Sequence, residues 1–321
     1  MKINKATKNN IEIAATRILN GGIVAFPTET VYGLGALASH KKAIDRVFSV
    51  KGRPKNNPLI VHVHSIQQAL SLVRINNNII PIMKNFWPGP LTLVMNYNLS
   101  SSIHKIARAN LNTIAIRIPS NPIAVELLKK IKVPIIAPSA NTSEHLSPTS
   151  AKHVNHDLGK KLKDSIDMIL DGGNCKIGIE STVIDITKKQ PVVLRPGGLN
   201  IKKIEKYLKN IESIRMENNS KPISPGQFKK HYSPKSFLRL NAKSPLKNEA
   251  WLGFGPDSKN LDCKFKMNLS KKSDLDEAAM NLFSMLRTLD KKMVETIAVK
   301  TIPNEGIGLA INDRLIRGAN K

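Results

Sequence analysis

Residues 18–35 read ILNGGIVAFPTETVYGLG and contain the end of a helix, a strand and the polar segment that follows the strand. The helix is predicted because apolar residues recur along one helical face from Ile11 to Leu19 and stop at Gly21-Gly22. The apolar run IVAF then predicts a buried strand. This order of helix, strand and polar segment is typical of an α/β domain.

The same alternation continues over the first two thirds of the chain. An amphipathic helix is predicted after Pro122, because proline is pre-organised for the first position of a helix. Further apolar runs predict buried strands at residues 91–95, 113–118, 133–137, 167–170, 181–186 and 191–195. These elements predict an α/β domain over residues 1–210.

Two further regions are predicted after this domain. Residues 211–236 are polar and rich in proline, which predicts an interdomain linker. Residues 237–321 contain two strand-like runs, AWLGF and ETIAV, a helix over 274–291 capped by Ser273, and a closing helix over 308–317. We therefore predict a second, smaller α/β domain.

The chain carries a large positive charge. Its 321 residues include 50 Lys and Arg against 24 Asp and Glu, which gives a formal net charge of +26. Such a charge favours a polyanionic partner such as nucleic acid, but the cations are scattered, and surface lysine is also the ordinary place for them. Two explanations therefore stay open, weak binding of RNA and a bias in composition.

The cysteine content and the hydropathy exclude other classes of protein. Two cysteines, Cys175 and Cys263, are too few for a disulfide scaffold or a cysteine-based zinc site. The first ten residues are polar, and no apolar run approaches the roughly 18 residues that span a bilayer. We expect a soluble, cytoplasmic protein that does not bind a membrane.

Common nucleotide and metal motifs are absent or poorly placed. The segment from Gly33 to Ala38 matches GxGxx[GA], but a polar segment separates it from the preceding strand and the acid expected about 20 residues later is missing. His62 and His64 share one face of a strand without an apparent third ligand, which favours a structural or substrate-contact role over a metal site. A dinucleotide fold and a protein-held metal are therefore disfavoured.

Several polar segments lie beside predicted strands, where open α/β sheets bind their ligands. These segments are FPTETVYGLG (26–35), KGRPKNNPL (51–59), FWPGPLT (86–92), Arg117, APSAN (137–141) with SPT (147–149), GIESTV (178–183) and LRPGG (194–198). Their hydroxyl, amide and cationic groups predict a site for a charged, oxygen-rich substrate.

The cations of these segments suggest contacts with anions. Lys51, Arg53 and Lys55 lie in a loop shaped by glycine and proline, which suits a triphosphate site or else a solvated turn. Arg117 interrupts an apolar strand, so we expect it to face a cleft and to pair with a carboxylate in bidentate geometry. Arg195 ends a strand before Pro-Gly-Gly and is a second candidate for binding phosphate.

Neutral polar groups cluster in the fifth of these segments. Ser139, Asn141, Ser147 and Thr149 could orient a phosphate. Serine and asparagine beside proline are also ordinary turn residues, so both interpretations stay open.

Taken in order, these motifs resemble the YrdC-like family, specifically the long two-domain L-threonylcarbamoyladenylate synthases. Two further motifs extend the resemblance over nearly the whole chain: PGQFKKHYSP at 225–234 and GIGLAINDRLIRGA at 306–319. The resemblance implies an α/β fold with a YrdC-like twisted open sheet and helices, followed by a small C-terminal Rossmann-like domain.

The resemblance also implies the activity. L-threonine, bicarbonate and ATP with Mg²⁺ would give L-threonylcarbamoyl-AMP and pyrophosphate, and a tRNA-modifying transferase complex would pass the group to an adenosine beside the anticodon. The site would act by positioning and electrostatics, with no covalent nucleophile and no metal ligand from the protein.

The family's functional residues map onto this chain position by position. The electrostatic catalytic role falls on Lys51 and Arg53, which we expect to be loop cations whose loss affects ATP use more than folding. The residues implied to bind L-threonine are Thr30, His62, Arg117, Ala137 and Ser181. The residues implied to bind ATP are Arg53, Asn57, Thr113, Ser139, Asn141, Ser147, Arg195 and Tyr232.

The linker is expected to fold over the site, because the N-carboxylated amine and the mixed anhydride both decompose in water. Two residues depart from the family pattern. Glu144 follows Ser143 where glycine is usual, so its carboxylate would either point outward or repel ATP. Gln227 replaces an apolar residue of the linker motif.

Two competing functions remain at this point. The chain could be a module that binds transfer or double-stranded RNA without adenylate chemistry. It could also perform another carbamoyl transfer, as in the hydrogenase-maturation proteins that contain a similar domain, although it lacks their cysteine-rich zinc segments.

Overall fold

The computed structural model of the chain describes residues 1–75, 79–208, 210–213, 224, 232–257 and 261–320. The segment 225–231, with most of the linker motif and Gln227, lies outside these described residues. Among the described residues, no helix is long and apolar enough to cross a membrane. The predicted domain boundaries after 210 and 236 stay predictions.

A large mixed sheet is built from the strands up to residue 213. These are β1 (Ile3–Lys5), β2 (Val24–Phe26), β3 (Gly33–Leu37), β4 (Ile60–His62), β5 (Val73–Arg74), β6 (Leu91–Tyr97), β7 (Thr113–Arg117), β8 (Ile135–Ile136), β9 (Met168–Asp171), β10 (Thr182–Asp185), β11 (Val192–Arg195) and β12 (Glu212–Ser213). Their order in space is β1-β9-β2-β3-β8-β4-β7-β6-β10-β11-β12, and β5 pairs with β6. Segments distant in the chain therefore become neighbours.

Helices cover both faces of this sheet. They are α1 (Lys8–Leu19), α2 (Lys41–Lys51), α3 (Ile66–Leu72), α4 (Ile80–Phe86), α5 (Pro122–Ile131), α6 (Ala151–Leu158) and α7 (Ile201–Glu205). Helices α1 and α5 share one apolar cluster with Val24 and Phe26, whereas Ala25 belongs to the cluster of α2, α3, α4 and α6. Alternate residues of β2 thus enter opposite layers, as the two-residue period of a strand requires.

A second, smaller sheet follows. Its strands are β13 (Phe237–Ala242), β14 (Ala250–Gly253), β15 (Phe265–Asn268) and β16 (Thr296–Lys300), all parallel, in the order β13-β16-β14-β15. Helices α8 (Leu275–Asp290) and α9 (Gly308–Ala319) belong to the same region. The predicted α/β class is confirmed for both parts of the chain.

The two α/β parts share one apolar cluster. Val31, Leu146 and Ile179 from the first part pack with Tyr232 and with side chains of α8 and α9. Gly178 has φ +83°, and a Cβ atom there would lie 2.4 Å from the backbone of Met280. Glycine at this position therefore allows α8 to approach the first part closely.

Residues Gly33–Leu37 form a strand antiparallel to β2, so the GxGxx[GA] match is no phosphate loop, as its placement indicated. Two other local predictions differ from the structure. The strand predicted at 133–137 contains only Ile135–Ile136. Helix α8 is capped by Asp274, whose side chain accepts from the N–H of Glu277, because Ser273 adopts a left-handed conformation with φ 60°.

Candidate active site

The register of the large sheet brings polar side chains of several strands to one edge. His62 of β4 lies opposite Arg117 of β7. Further along the sheet, Val183 of β10 lies opposite Arg195 of β11, just after Ser181. Because α/β proteins bind ligands beyond strand ends, we place the candidate active site here.

A small cavity lies at this edge. Most of the residues that the sequence selected line it: Arg53, His62, Arg117, Ala137, Ser139, Ser181, Arg195 and Tyr232. Its lining also includes Val31, Ile60, Pro138 and Glu180. The fold thus gathers residues of several separate motifs around one space.

A larger cavity of ≈ 610 Å³ lies at the opposite ends of β6 and β10, with Asn96 and Lys188 in its wall. None of the residues predicted to bind substrate lines this cavity. Thr113 pairs with Asn96 and lies four residues before Arg117, about 13 Å away along a strand. The structure therefore separates Thr113 from the other residues that the resemblance assigns to ATP.

Arg117 is buried and pairs with a carboxylate, as predicted, but without the expected bidentate hydrogen bonds. Its Nη2 atom lies 2.7 Å from Oε1 of Glu29, and its Nε donates to the carbonyl of Gly89 at 3.3 Å. Glu29 also accepts a hydrogen bond from the N–H of Ser120. These contacts fix the guanidinium beside the cavity.

His62 is neutral at physiological pH. Its burial, reinforced by the charge of Arg117, lowers its pKa to about 3. Its Nδ1 atom lies 3.3 Å from the carbonyl oxygen of Ile60. Among the described residues, no group of three or more His, Cys, Asp or Glu side chains is arranged to hold a metal ion.

Arg195 and Ser181 form a connected pair at the cavity wall. Both Nε and Nη2 of Arg195 donate to the carbonyl of Ser181, at 3.1 and 3.0 Å. The Ser181 and Thr92 hydroxyl oxygens are 2.8 Å apart. Burial, the main cause, lowers the pKa of Arg195.

Arg53 is held by the loop that follows it. Its Nη2 donates to Oδ1 of Asn57 at 2.6 Å and to the carbonyl of Pro58 at 2.9 Å. Burial, and secondarily Arg195, lower its pKa to about 9. Asn57 does not line the cavity but orients a guanidinium that does.

Lys51 is not a loop cation, contrary to our expectation. It is the last residue of α2, it is 1% exposed, and its Nζ donates to the carbonyls of Ser139 and Asn141 at 2.5 and 2.6 Å. The reason is that α2 includes Lys51, the first residue of the predicted loop, and is capped by Gly52. Lys55 lies outside and pairs with Asp45 on the surface, as in a solvated turn.

The loop that Lys51 holds contains the predicted phosphate contacts. Ser139 donates to Oδ1 of Asn141 at 2.6 Å, and the Asn141 amide donates to the carbonyl of His145 at 2.7 Å. Ser139 lines the cavity, whereas Asn141 shapes the loop behind it. Ser147 is fully buried and donates to Oε1 of Glu180.

The two remaining positions assigned to threonine lie close to the cavity. Ala137 is part of its wall. Thr30 is buried beside the wall residue Val31, and its hydroxyl oxygen is 2.8 Å from that of Thr28.

Glu144 points outward, which settles one of the two alternatives. Its side chain is exposed, and its backbone adopts φ 68°, a region that favours glycine. Its carbonyl accepts a hydrogen bond from the N–H of Ser233, next to Tyr232. The departure from the family pattern therefore places no carboxylate in the cavity.

The second α/β part reaches the cavity through Tyr232 and Arg314. Tyr232 is buried, stacks on Phe283 of α8 with ring centroids 5.6 Å apart, and has the Arg314 guanidinium 5.3 Å from its ring centroid. The Nε of Arg314 lies 3.1 Å from Oε2 of Glu180. Sequence reasoning missed Arg314, Glu180 and Glu29 as functional candidates, although each lies inside a quoted motif.

An α/β sheet that gathers buried arginines, hydroxyls and a neutral imidazole at one edge defines an enzyme that binds anionic substrates. Residues 16–197 match the Sua5, YciO and YrdC family model, described as telomere recombination. Residues 199–320 match the model described as the C-terminal domain of threonylcarbamoyl-AMP synthase. The chain therefore belongs to the two-domain Sua5 branch of this family, which confirms the resemblance.

Relatives align over nearly the full chain. The threonylcarbamoyl-AMP synthase of Pyrococcus abyssi is 39% identical over 95% of this chain and 92% of its own length. That of Bacillus subtilis is 36% identical with the same coverage. The crystal structure of P. abyssi Sua5 complexed with L-threonine matches with a TM-score of 0.91 and 36% identity, over 99% of this chain and 98% of that one. The predicted YrdC-like fold is thereby confirmed.

Proposed function

We propose that this chain synthesises L-threonylcarbamoyl-AMP from L-threonine, bicarbonate and ATP, with release of pyrophosphate. One observation carries the proposal: Arg53, Arg117 and Arg195 are buried around one cavity. Buried guanidiniums require anionic partners, and the carboxylate of threonine and the phosphates of ATP supply them.

Threonine is assigned to the side of the cavity near Arg117. Glu29 and Gly89 occupy two nitrogens of this guanidinium, and Nη1 makes no hydrogen bond to any described residue, so it is available for the amino-acid carboxylate. The hydroxyl of Ser181 and the neutral His62 lie in the same wall and can accept or donate hydrogen bonds. The likeness to a threonine-bound relative supports this assignment.

ATP is assigned to the side near Arg53 and Arg195. Both guanidiniums line the cavity together with the Ser139 hydroxyl, so they can contact phosphate oxygens. Lys51 acts from behind by holding the loop that carries Ser139. Three polar residues likewise hold the wall residues in place through hydrogen bonds. Asn57 accepts from Arg53, Asn141 accepts from Ser139, and Ser147 donates to Glu180.

The chemistry then needs positioning and charge neutralisation. The threonine amine attacks the carbon of bicarbonate, water leaves, and an N-carboxylate forms. An oxygen of this carboxylate attacks the α-phosphorus of ATP, the bond to the β-phosphate oxygen breaks, and pyrophosphate departs. Fixed guanidiniums stabilise the charge that develops at phosphorus and on the leaving group.

The remaining partners follow from this reaction. Mg²⁺ is proposed to enter with ATP and to neutralise its phosphates. We propose that the product passes in the cytoplasm to a transferase complex that modifies adenosine beside the tRNA anticodon. A weak contact between the surplus lysines and tRNA is compatible with the charge of +26.

The proposal is tested with purified protein, labelled threonine, bicarbonate, ATP and Mg²⁺. We expect threonine-dependent release of pyrophosphate, and its absence would refute the proposal. Arg117→Ala should lower kcat/KM by roughly 100-fold or more, since it removes the carboxylate partner and leaves Glu29 buried without its cation.

The same variant separates synthesis from RNA binding. Its salt-dependent affinity for tRNA should stay within about twofold of the original chain, because a buried residue makes no phosphate contact. A chain that binds RNA strongly but releases no pyrophosphate would be an RNA-binding module. ATP turnover supported by carbamoyl phosphate, without threonine and bicarbonate, would indicate the other carbamoyl transfer.

A further inference from the structure

Arg314 is the most deeply buried charged side chain that the second α/β part contributes to the neighbourhood of the cavity. It lies on α9, it is 1% exposed, and it contacts three separate segments of the first part and the linker. Its Nε pairs with Glu180, its Nη1 donates to the carbonyl of Pro196, and its guanidinium lies over the Tyr232 ring.

All three contacts reach residues at or next to the cavity wall. Glu180 and Tyr232 line the cavity, and Pro196 directly follows the lining residue Arg195. One side chain of α9 therefore holds several parts of the proposed nucleotide site at once.

The carboxylate of Glu180 explains why a buried cation is needed at the position of Arg314. It places a buried carboxylate in the wall where the proposed function requires a triphosphate. Burial alone would raise its pKa, but Arg314, Arg195 and the Ser147 hydroxyl together hold it below the ordinary value. Glu180 is therefore ionised, and its charge must be neutralised from behind.

Without Arg314, two consequences follow for ATP. Arg195 is the other cation acting on Glu180, and pairing with it would draw that guanidinium away from phosphate. An unpaired Glu180 would instead repel the phosphates directly. Either outcome weakens ATP binding more than threonine binding, because Arg117, the proposed partner of the threonine carboxylate, is held by its own ion pair with Glu29.

We propose that Arg314 is a positioning residue of the ATP site, which neutralises Glu180 and fixes Tyr232 so that Arg53 and Arg195 stay available for the triphosphate. This inference rests on the proposed function. It assigns the second α/β part a direct role in nucleotide binding.

The experiment compares the full-length chain with Arg314→Gln and with the double variant Glu180→Gln/Arg314→Gln. For Arg314→Gln we expect KM for ATP to rise about tenfold or more, while KM for threonine changes less than about twofold. The double variant removes both charges and should recover most of the ATP affinity. Calorimetric titration with a non-hydrolysable ATP analogue measures the same effect independently of turnover.

Recovery of ATP affinity in the double variant distinguishes a positioning role of Arg314 from a role in packing alone. If Arg314 only stabilised the domain interface, removing the Glu180 charge would restore nothing. An unchanged KM for ATP in Arg314→Gln, or a raised KM that the double variant does not lower, overturns the proposal. If Arg314→Gln fails to fold, the double variant provides the test. The proposal expects the double variant to fold and to bind ATP with near-normal affinity, and a double variant that does not do so overturns the proposal.

Arg287 provides the matched control. It is a buried arginine of α8 that pairs with Asp157 of α6, so it also bridges the two parts, but it does not line the cavity. Arg287→Gln should lower thermal stability while KM for ATP stays within about twofold. A rise in this control equal to that of Arg314→Gln would mean that any interface ion pair has the same effect, and would overturn the proposal. If the unaltered chain itself released no pyrophosphate in the presence of threonine, that result would count against the proposed function instead.

Discussion

Lys51 shows how a buried cation can serve a site without facing it. Its ammonium group donates to two carbonyls of the loop that carries Ser139, and no carboxylate lies within ion-pair distance among the described residues. Burial, the main cause, lowers its pKa well below the ordinary value. The hydrogen bonds from Lys51 to this loop thus offset the free-energy cost of desolvating its ammonium group, and they fix the conformation of the loop on the proposed phosphate side.

Lys51→Ala should therefore affect folding as well as ATP use. The change leaves two buried carbonyls without donors, and we expect the free energy of unfolding to fall by about 2–4 kcal/mol. Urea denaturation measures this loss. Lys55→Ala, a surface change four residues away, is the control and should stay within about 0.5 kcal/mol. Equal stability of the two variants would contradict the structural role.

At the scale of elements, the sheet converts local strand patterns into one site. The sequence indicates strands β4, β7, β10 and β11 as apolar runs or polar motifs, and most of the site residues named at or near their ends line the cavity. The pairing of β4 with β7 joins residues that are far apart in the chain, and no local pattern specifies it. The Arg117 partner was predicted as a carboxylate, but Glu29 lies between β2 and β3, and its approach to Arg117 is a long-range contact that no local pattern specifies.

Helix α8 gives a test of local sequence reasoning. Both Ser273 and Asp274 are chemically suitable caps, but only the Asp274 side chain accepts a backbone hydrogen bond, at 2.9 Å from the Glu277 nitrogen. Asp274→Ala should cost about 1 kcal/mol of stability, and Ser273→Ala should cost less than about 0.5 kcal/mol. Thermal denaturation of the two variants checks the difference, and the reverse order would restore Ser273 as the cap.

At the scale of the whole molecule, buried neutral histidines make stability depend on pH. The pKa of His62 is lowered to about 3 by burial and Arg117, and that of His153 to about 4 by burial and Arg287. Below about pH 6.5 the unfolded chain binds protons that the folded chain does not, so stability present at neutral pH is lost as pH falls.

We expect the free energy of unfolding to fall between pH 6.5 and 4 by about 1.4 kcal/mol per pH unit for His62, and by less for His153, whose partly exposed ring is screened by solvent. His62→Gln should remove the contribution of His62 to this pH dependence of the free energy of unfolding, which urea denaturation at several pH values can measure. His145→Gln, at an exposed position, is the matched control. An unchanged slope in His62→Gln would show that His62 is protonated in the folded state.

The contact that the sequence analysis missed most completely, the ion pair between Arg314 and Glu180, also belongs to the scale of the whole molecule. Arg314 and Glu180 are separated by 134 positions and meet because α9 packs against the first part of the chain. Arginine in a closing amphipathic helix is ordinarily a surface residue, and periodicity cannot reveal that it points across a domain interface. Motif resemblance marked the segment as characteristic of the family without indicating its chemistry.

The apolar cluster shared by the two parts has a consequence for synthesis of the chain on the ribosome. Val31, Leu146 and Ile179 have been translated long before α8 and α9 exist to cover them. At ordinary elongation rates, the region from β13 to α9 takes roughly ten seconds to emerge. During this interval the three apolar side chains of the nascent first part lack the cover that α8 and α9 later provide.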